Sequence, residues 1–135
     1  EDGIRDSVAS RGLGDVYKRQ VQVLRDKLKN HFDLENLGIV MSDTFGRPWR
    51  IGQVNAAIGI AGLPATKKEQ GTRDAWGNQL YVTEPAFCDE IAASSGLLMS
   101  KAGKCPAILL RGLSWSGKHG SANDILRKQN EDMFR

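Results

Sequence analysis

The sequence predicts an α+β domain in which a mixed or antiparallel sheet is flanked by helices. Two stretches, one near the start and one past the middle, space their apolar residues with a helical period. Short apolar runs of strand length stand at residues 37–42, 56–63 and 106–110. The chain has 135 residues, of which 40% are hydrophobic and 26% charged, which suits one ordered domain and excludes a disordered or membrane-embedded class. A net charge of +3 is too small to indicate nucleic-acid binding.

Residues 1–20 have no apolar periodicity, and we expect them to form a tail without regular structure that contributes nothing to stability. The run RDSVASRGLGDVYKRQ resembles a translated sequencing adapter, of the kind found at the ends of metagenomic assemblies. We therefore predict that residues 1–20 are a non-native tail and that residues 21–135 are the genuine domain, as a partial fragment.

The first predicted helix carries an apolar stripe formed by Val21, Leu24, Leu28 and Phe32. A buried strand follows at residues 37–42. The next strand, at residues 56–63, contains Gly59 and Gly62, which predicts that another backbone approaches it closely.

The second half begins with turn chemistry in DAWGN at residues 74–78 and a short strand at residues 80–83. Thr83 is then expected to cap a helix that runs to about residue 101 and ends before Gly103. Its predicted buried stripe consists of Phe87, Cys88, Ile91, Ala92, Ser95, Leu98 and Met99. A buried strand at residues 106–110 and a glycine- and serine-rich loop complete the chain.

The motif SDTFGRPWR at residues 42–50 contains the first candidate site. Asp43 and Thr44, at the predicted end of a strand, offer oxygen ligands to a hard cation, and the alternative is an Asx-type turn. Arg47 and Arg50 suit phosphates or carboxylates, and the alternative is plain surface solvation. Trp49, together with the proline before it, is expected to pack.

The second candidate is the loop that holds Lys118, His119, Gly120, Ser121 and Ala122. Consecutive backbone N–H groups of small residues can cradle phosphate oxygens, with Lys118 adding charge. The loop does not match the G-x-x-x-x-G-K-[ST] pattern of a P-loop, and a plain flexible loop is the alternative.

Other reactive side chains are expected to be structural. Asp89 and Glu90 are predicted to lie on a solvated helix face and His31 on the surface. Cys88 and Cys105 are predicted to be reduced thiols. No Ser/His/Asp or Cys/His nucleophile arrangement is present, and no catalytic residue is assigned.

Several motifs together resemble the F420:γ-glutamyl ligase family. They are GIVMSDTFGRPWRIGQ, AIGIAGL, D-x-x-G-N-x-L-x-V-T at 74–83, DEIAASSGLLMSK at 89–101, PAILLRG at 106–112, GSANDILR and EDMFR. The resemblance covers essentially all of residues 21–135 and implies a partial fold of that family.

The resemblance implies a cytoplasmic, homodimeric ligase of coenzyme F420 biosynthesis that adds L-glutamate to coenzyme F420-0. It would use GTP and Mg²⁺ or Mn²⁺, with K⁺ as a further candidate ion, and would form an acyl phosphate. The family's metal-holding pair falls on Asp43 and Thr44. Its nucleotide loop falls on about Gly117 to Asp124, with the GTP contacts expected from Lys118 to Ala122. His119 stands where the family commonly has a Gln or Glu ligand, which leaves the second metal open.

Two alternatives remain. The chain is the ligase half of a bifunctional ligase and flavin reductase, or a truncated, non-catalytic module that binds nucleotide or phosphate. The family's N-terminal portion, with further GTP contacts, has no counterpart in this sequence, which leaves open whether the fragment alone is active. Neither nucleic acid nor a membrane is an expected partner.

Overall fold

The computed structural model describes residues 3–100, 102–116 and 119–131, apart from the side chains of residues 3–15 and 129. Helix α1 (Gly3–Phe32) precedes strands β1 (Ile39–Gly46) and β2 (Gln53–Ala61), and helix α2 (Phe87–Gly96) follows them. Two 3₁₀ helices, Ala122–Ile125 and Gln129–Glu131, lie near the end. The two strands pair antiparallel. The predicted α+β class, with an antiparallel sheet and flanking helices, is confirmed.

Strands β1 and β2 form a hairpin with one irregularity in its ladder. Met41 lies opposite Gly59, but Ser42 lies opposite Ala57, so that Ile58 is an extra residue on β2. This two-against-one arrangement is a β-bulge, which bends a strand and increases its twist. The ladder then continues regularly to the end of β1.

Helix α1 packs against β2 where β2 lacks a side chain. A Cβ atom placed on Gly59 would lie 2.8 Å from Cγ2 of Val21 and 3.4 Å from the Tyr17 carbonyl oxygen. Gly62 has φ +80° and lies against Arg25, whose Nε donates to the Leu37 carbonyl at 2.8 Å. The predicted close approach at the two glycines is therefore confirmed.

Helix α2 packs against the other face of β2 and forms the small apolar core. Cys88 and Ala92 are buried there, as predicted, and Ser95 is buried beside them. The core cluster consists of Ala57, Ile60, Leu63, Ala65, Cys88 and Ala92. Because several of these side chains are small, the backbone of the helix and the strand can lie close together.

The prediction for residues 1–20 is wrong in one respect, because α1 is already helical from Gly3 onward. Tyr17 is half-buried and lies against β2. The non-native origin of residues 1–20 stays a prediction. The predicted apolar stripe is also only partly buried, since Val21 is fully covered while Leu24 and Phe32 are 44% and 61% exposed.

The predicted strands at residues 80–83 and 106–110 are absent from the described structure. Residues 67–71 and 80–85 instead run side by side as an irregular arm, with Lys67 N donating to Pro85 O and Glu69 N to Thr83 O. Asp74 closes the arm by accepting from the Trp76 and Asn78 N–H groups, which confirms the predicted turn. Hydrogen bonds from Asn78 hold the pKa of Asp74 below its usual value.

Thr83 does not cap α2, since the cap is Ala86 and makes no side-chain hydrogen bond. The Thr83 carbonyl instead accepts from the Glu69 N–H group within the arm. Helix α2 ends at Gly96 rather than near residue 101, and Leu98 beyond it is 66% exposed. Leu109, in the predicted last strand, is 67% exposed.

His31 is exposed in the last turn of α1, as predicted. Both cysteines are free thiols, Cys88 buried and Cys105 exposed. Across the described residues, every helix is too short or too polar to cross a bilayer.

The Tyr17 contact makes the start of the folded region testable by truncation. Removing residues 1–20 should lower the melting temperature by a few degrees relative to removing residues 1–15, because only the longer deletion takes away the Tyr17 contact with β2. Thermal unfolding of the two truncated chains measures this. Equal melting temperatures would show that Tyr17 contributes nothing and would favour a boundary at residue 21.

The two thiols should differ in reactivity. Burial raises the pKa of the Cys88 thiol to about 11, and the Asp89 carboxylate adds to the shift. A thiol-specific reagent at pH 8 should therefore label one thiol in the native chain and both after denaturation. Cys105→Ser should leave the native chain unlabelled, and rapid labelling of that variant would contradict the burial of Cys88.

The raised pKa of the Cys88 thiol also predicts that the folded state loses stability at alkaline pH. The folded pKa of Cys88 lies above the ordinary value of 9.0, so the unfolded chain releases this proton first as pH rises. The Cys88 contribution to the free energy of unfolding is complete below about pH 9 and should decline between about pH 9 and 11. Urea unfolding at stepped pH, compared with Cys88→Ala, measures this contribution.

Candidate functional site

Asp43 and Thr44 lie within strand β1 and are exposed. The prediction that they stand at the end of a strand is wrong, because the ladder with β2 continues to the pair Gly46 and Gln53. The chain turns only at residues 47–52, where Trp49 and Gly52 have positive φ angles of 57° and 89°. The candidate pair is therefore held by a paired backbone rather than by a loop.

The Asp43 carboxylate uses one oxygen locally. Its Oδ1 accepts from the Thr44 backbone N–H at 2.7 Å and from the Thr44 hydroxyl at 3.4 Å. This contact to nearby backbone resembles the Asx-type alternative, although it reaches only the next residue. Oδ2 accepts no hydrogen bond from any residue in the described ranges, so it remains open to a ligand.

Asp43 and Thr44 fit a hard divalent cation in part. A carboxylate and a hydroxyl are oxygen ligands of the kind that Mg²⁺ and Mn²⁺ take. Among the described residues, no group of three or more His, Cys, Asp or Glu side chains converges. The pair can thus supply about two ligands, and an ion here would complete its shell with water and substrate phosphate, as Mg²⁺ commonly does.

The hairpin turn presents the two arginines differently. Arg50 is exposed, whereas the Nε atom of Arg47 is buried and finds no acceptor in the described part of the chain. A buried donor without a partner is costly, and an anion beside it would remove that cost. Trp49 is 89% exposed, so the prediction that it packs into the fold is wrong.

The second candidate loop lies only partly within the described residues, and Lys118 is outside them. His119 is exposed. The Gly120 N–H donates to the Leu63 carbonyl at 2.9 Å, and the Ser121 N–H donates to the Asp124 carboxylate at 2.7 Å. Both N–H groups are thus already used, and a phosphate could bind them only by displacing these acceptors.

Ser121 and Ala122 begin the first 3₁₀ helix. The Ser121 hydroxyl accepts from the Asn123 N–H at 3.4 Å, and Asp124 reaches back to the Ser121 N–H, which together form a capping box. Ser121 and Asp124 therefore cap the start of this helix in the structure. The predicted role of Gly120, Ser121 and Ala122 in binding GTP stays a prediction.

The two candidate sites lie at different positions along β2. Asp43 is opposite Ala56, whereas Gly120 binds Leu63, beyond the end of the strand at Ala61. The five steps from Ala56 to Ala61 span about 17 Å at about 3.3 Å per residue. Asp43 and Gly120 therefore contact β2 and the segment after it at points well separated along the chain.

A cavity of about 310 Å³ adjoins the second loop. It is lined by Pro64, Lys67, Phe87, Ser114, Trp115 and Ser116. The Phe87 and Trp115 rings lie 6.5 Å apart between centroids, and the Trp115 indole donates to the Gly62 carbonyl at 3.1 Å. The loop thus stands next to a concave surface with two aromatic walls.

The prediction that Asp89 lies on a solvated helix face is wrong. Glu90 is exposed as predicted, but Asp89 is half-buried and its Oδ1 accepts from the Ala57 N–H at 2.9 Å. Its partner is 32 residues away in the chain, so no local spacing could indicate the contact.

Comparison with known proteins supports the family resemblance that these sequence motifs indicated. The family model described as F420-0:Gamma-glutamyl ligase matches residues 16–112. Relatives named coenzyme F420:L-glutamate ligase are 42% identical in Archaeoglobus fulgidus, 39% in Methanothermobacter thermautotrophicus and 35% in Methanocaldococcus jannaschii, each over 102 residues.

These alignments cover 73–75% of this chain but only 40–41% of the relatives. The chain therefore spans about two fifths of the length of the curated relatives it matches. The matched region contains the whole hairpin, helix α2 and the DEIAASSGLLMSK motif. Because the family model covers more than half of the chain, this protein belongs to the F420-0:gamma-glutamyl ligase family.

Proposed function

We propose that this chain acts in coenzyme F420 biosynthesis, as a GTP- and divalent-metal-dependent ligase that adds L-glutamate to coenzyme F420-0. The observation that carries the proposal is the family match, which includes the exposed Asp43–Thr44 pair in SDTFGRPWR. The relatives named for this ligase align over 102 residues, which is 73–75% of the chain. The proposal concerns the activity of the longer relatives, to which this chain corresponds in part.

The proposed reaction has two steps. The terminal carboxylate of F420-0 attacks the γ-phosphorus of GTP, which forms an acyl phosphate and releases GDP. The glutamate amine then attacks the acyl carbon, phosphate leaves with the bonding electron pair, and the amine proton passes to solvent. Neither step requires a protein nucleophile, and both require positive charge near the phosphates. The chemistry therefore needs cations and guanidinium groups more than a catalytic triad.

Different residues would supply the metal ligands and the phosphate contacts. Asp43 Oδ2 and the Thr44 hydroxyl would hold Mg²⁺ or Mn²⁺, which supplies charge neutralisation and alignment of phosphate oxygens when bound. Arg47 would supply its Nε donor, which has no acceptor among the described residues, and Arg50 would act with it on phosphate or substrate carboxylate. His119 would ligate a second cation, and Lys118 would contact GTP phosphates.

The second loop would bind the nucleotide together with the cavity beside it. The aromatic walls of that cavity suit a planar ring, and the hydroxyls of Ser114 and Ser116 can bind its polar edge. Use of the Gly120 and Ser121 N–H groups would require the exchange of two existing hydrogen bonds. K⁺ is a further candidate ion for the reaction.

A homodimer in the cytoplasm is also part of the proposal. Phe45 and Ile51 are 58% and 103% exposed near the hairpin turn, and exposed apolar side chains there suit contact with a second copy. Sedimentation velocity of the chain measures the assembly, and a monomer at all concentrations would contradict it.

Asp43→Asn should weaken Mn²⁺ binding by about tenfold or more, because the variant loses the charge that attracts the ion while the fold persists. Titration of Mn²⁺ followed by electron paramagnetic resonance measures the affinity. Asp26→Asn, which removes an exposed carboxylate from α1, is the matched control and should bind Mn²⁺ as the wild type does. Equal affinity in Asp43→Asn and wild type would overturn the metal assignment.

The ligase activity is tested by product mass. Incubation with F420-0, GTP, Mn²⁺ and ¹⁵N-labelled L-glutamate should give a product heavier by one labelled glutamyl residue, with one GDP and one phosphate formed per product. Omitting Mn²⁺ should abolish both. Mn²⁺-dependent GTP binding without any glutamyl product would favour the non-catalytic nucleotide-binding module instead.

A further inference from the structure

Asp89 has no part in the proposed chemistry, yet it joins helix α2 to the irregular point of the hairpin. Its carboxylate accepts from the Ala57 N–H at 2.9 Å. Ala57 is one of the two residues that flank the extra residue Ile58, and it pairs with Ser42, the neighbour of Asp43. The contact therefore lies one residue from the candidate metal pair on the opposite strand.

The bulge decides which way the β2 side chains point. Ala57 belongs to the core with Cys88 and Ala92 of α2, whereas Gly59 lies against Val21 of α1. In a regular strand, residues 57 and 59 would point to the same face, because side chains alternate with a period of two. Their opposite orientation follows from the extra residue between them.

The same bulge sets the register of Asp43. Beyond Ile58, Asp43 is paired with Ala56 and Thr44 with Asn55. Without the extra residue, Asp43 would lie opposite Ala57, and a slip by one residue moves side chains to the other face of a sheet. Since α2 already holds Ala57 in the core, the loss of the bulge would turn Asp43 and Thr44 relative to the rest of the site.

A bulge disturbs the ladder locally and leaves backbone groups in need of other partners. Asp89 supplies an acceptor at this point, from the first turn of α2. A charged acceptor makes a stronger hydrogen bond than a neutral one, and this one is partly shielded from water. We infer that Asp89 is a positioning residue, which holds the bulge at Ile58 and thereby orients Asp43 and Thr44 toward their cation.

This inference rests on the proposed metal site, so its test separates the two. Asp89→Ala removes the acceptor, Asp89→Asn keeps an oxygen that can accept from Ala57, and Glu90→Ala is the matched control on the same helix turn. Asp89→Ala should speed hydrogen exchange of the Ala57 amide and lower Mn²⁺ affinity by about tenfold to a hundredfold. Asp89→Asn should stay close to wild type in both, and Glu90→Ala should change neither.

Exchange is measured by NMR on the ¹⁵N-labelled chain and Mn²⁺ affinity by electron paramagnetic resonance. Asp43→Asn is titrated alongside. Wild-type affinity in Asp89→Ala, with loss of affinity in Asp43→Asn, would overturn the positioning role and leave the metal site intact. Mn²⁺ binding that does not depend on Asp43 would overturn the metal site and this inference with it.

A purely structural role gives a different pattern. Asp89→Ala would then lower the melting temperature and keep its Mn²⁺ affinity below the melting transition. If Asp89→Ala does not fold, Asp89→Glu replaces it, since it keeps the charge and moves the carboxylate by one methylene. A weakened Mn²⁺ affinity in Asp89→Glu supports the inference, and a wild-type affinity together with a shifted Ala57 amide resonance overturns it.

Discussion

Close packing on both faces of β2 organises this fold. Helix α1 reaches one face because Gly59 has no side chain there, and α2 reaches the other through Ala57 and Ala92. Small residues let the backbones approach, so that a hairpin of two strands is covered on two sides. A side chain on Gly59 would meet Val21 at once, and α1 would have to move.

This packing explains why the hairpin can carry a polar site. A two-stranded hairpin alone is marginally stable in water. The half of the hairpin far from its turn is covered by the helices. On β1, the half near the turn, which includes Asp43 and Thr44, is exposed. The bulge at Ile58 lies between these halves, and Asp89 links it to α2. A site in this position combines a backbone held by the packed helices with side chains that are open to a ligand.

The described core is small, and much apolar surface stays outside it. The buried hydrophobic residues include four alanines, whereas Trp49, Ile51, Trp76 and Val82 are each more than 80% exposed. Exposed apolar residues near both the hairpin turn and the Asp74 turn are typical of surfaces that contact other protein. At the hairpin, exposed Phe45 follows Asp43 and Thr44 directly in β1.

Sequence alone predicts the family, the α+β class, the two glycines of close approach, the Asp74 turn and the buried residues Cys88, Ala92 and Ser95 of α2. These features depend on local residue chemistry or on an ordered set of motifs, which can be read without coordinates. The end of β1 depends on tertiary pairing, because the ladder with β2 extends the strand through Asp43 and Thr44 to Gly46. Tertiary packing also makes the Leu63 carbonyl the acceptor of the Gly120 N–H group and brings Asp89 to Ala57. Such contacts join residues distant in the chain, and neither propensity nor spacing contains them, since a hydrogen bond of this kind exists only once both partners are packed.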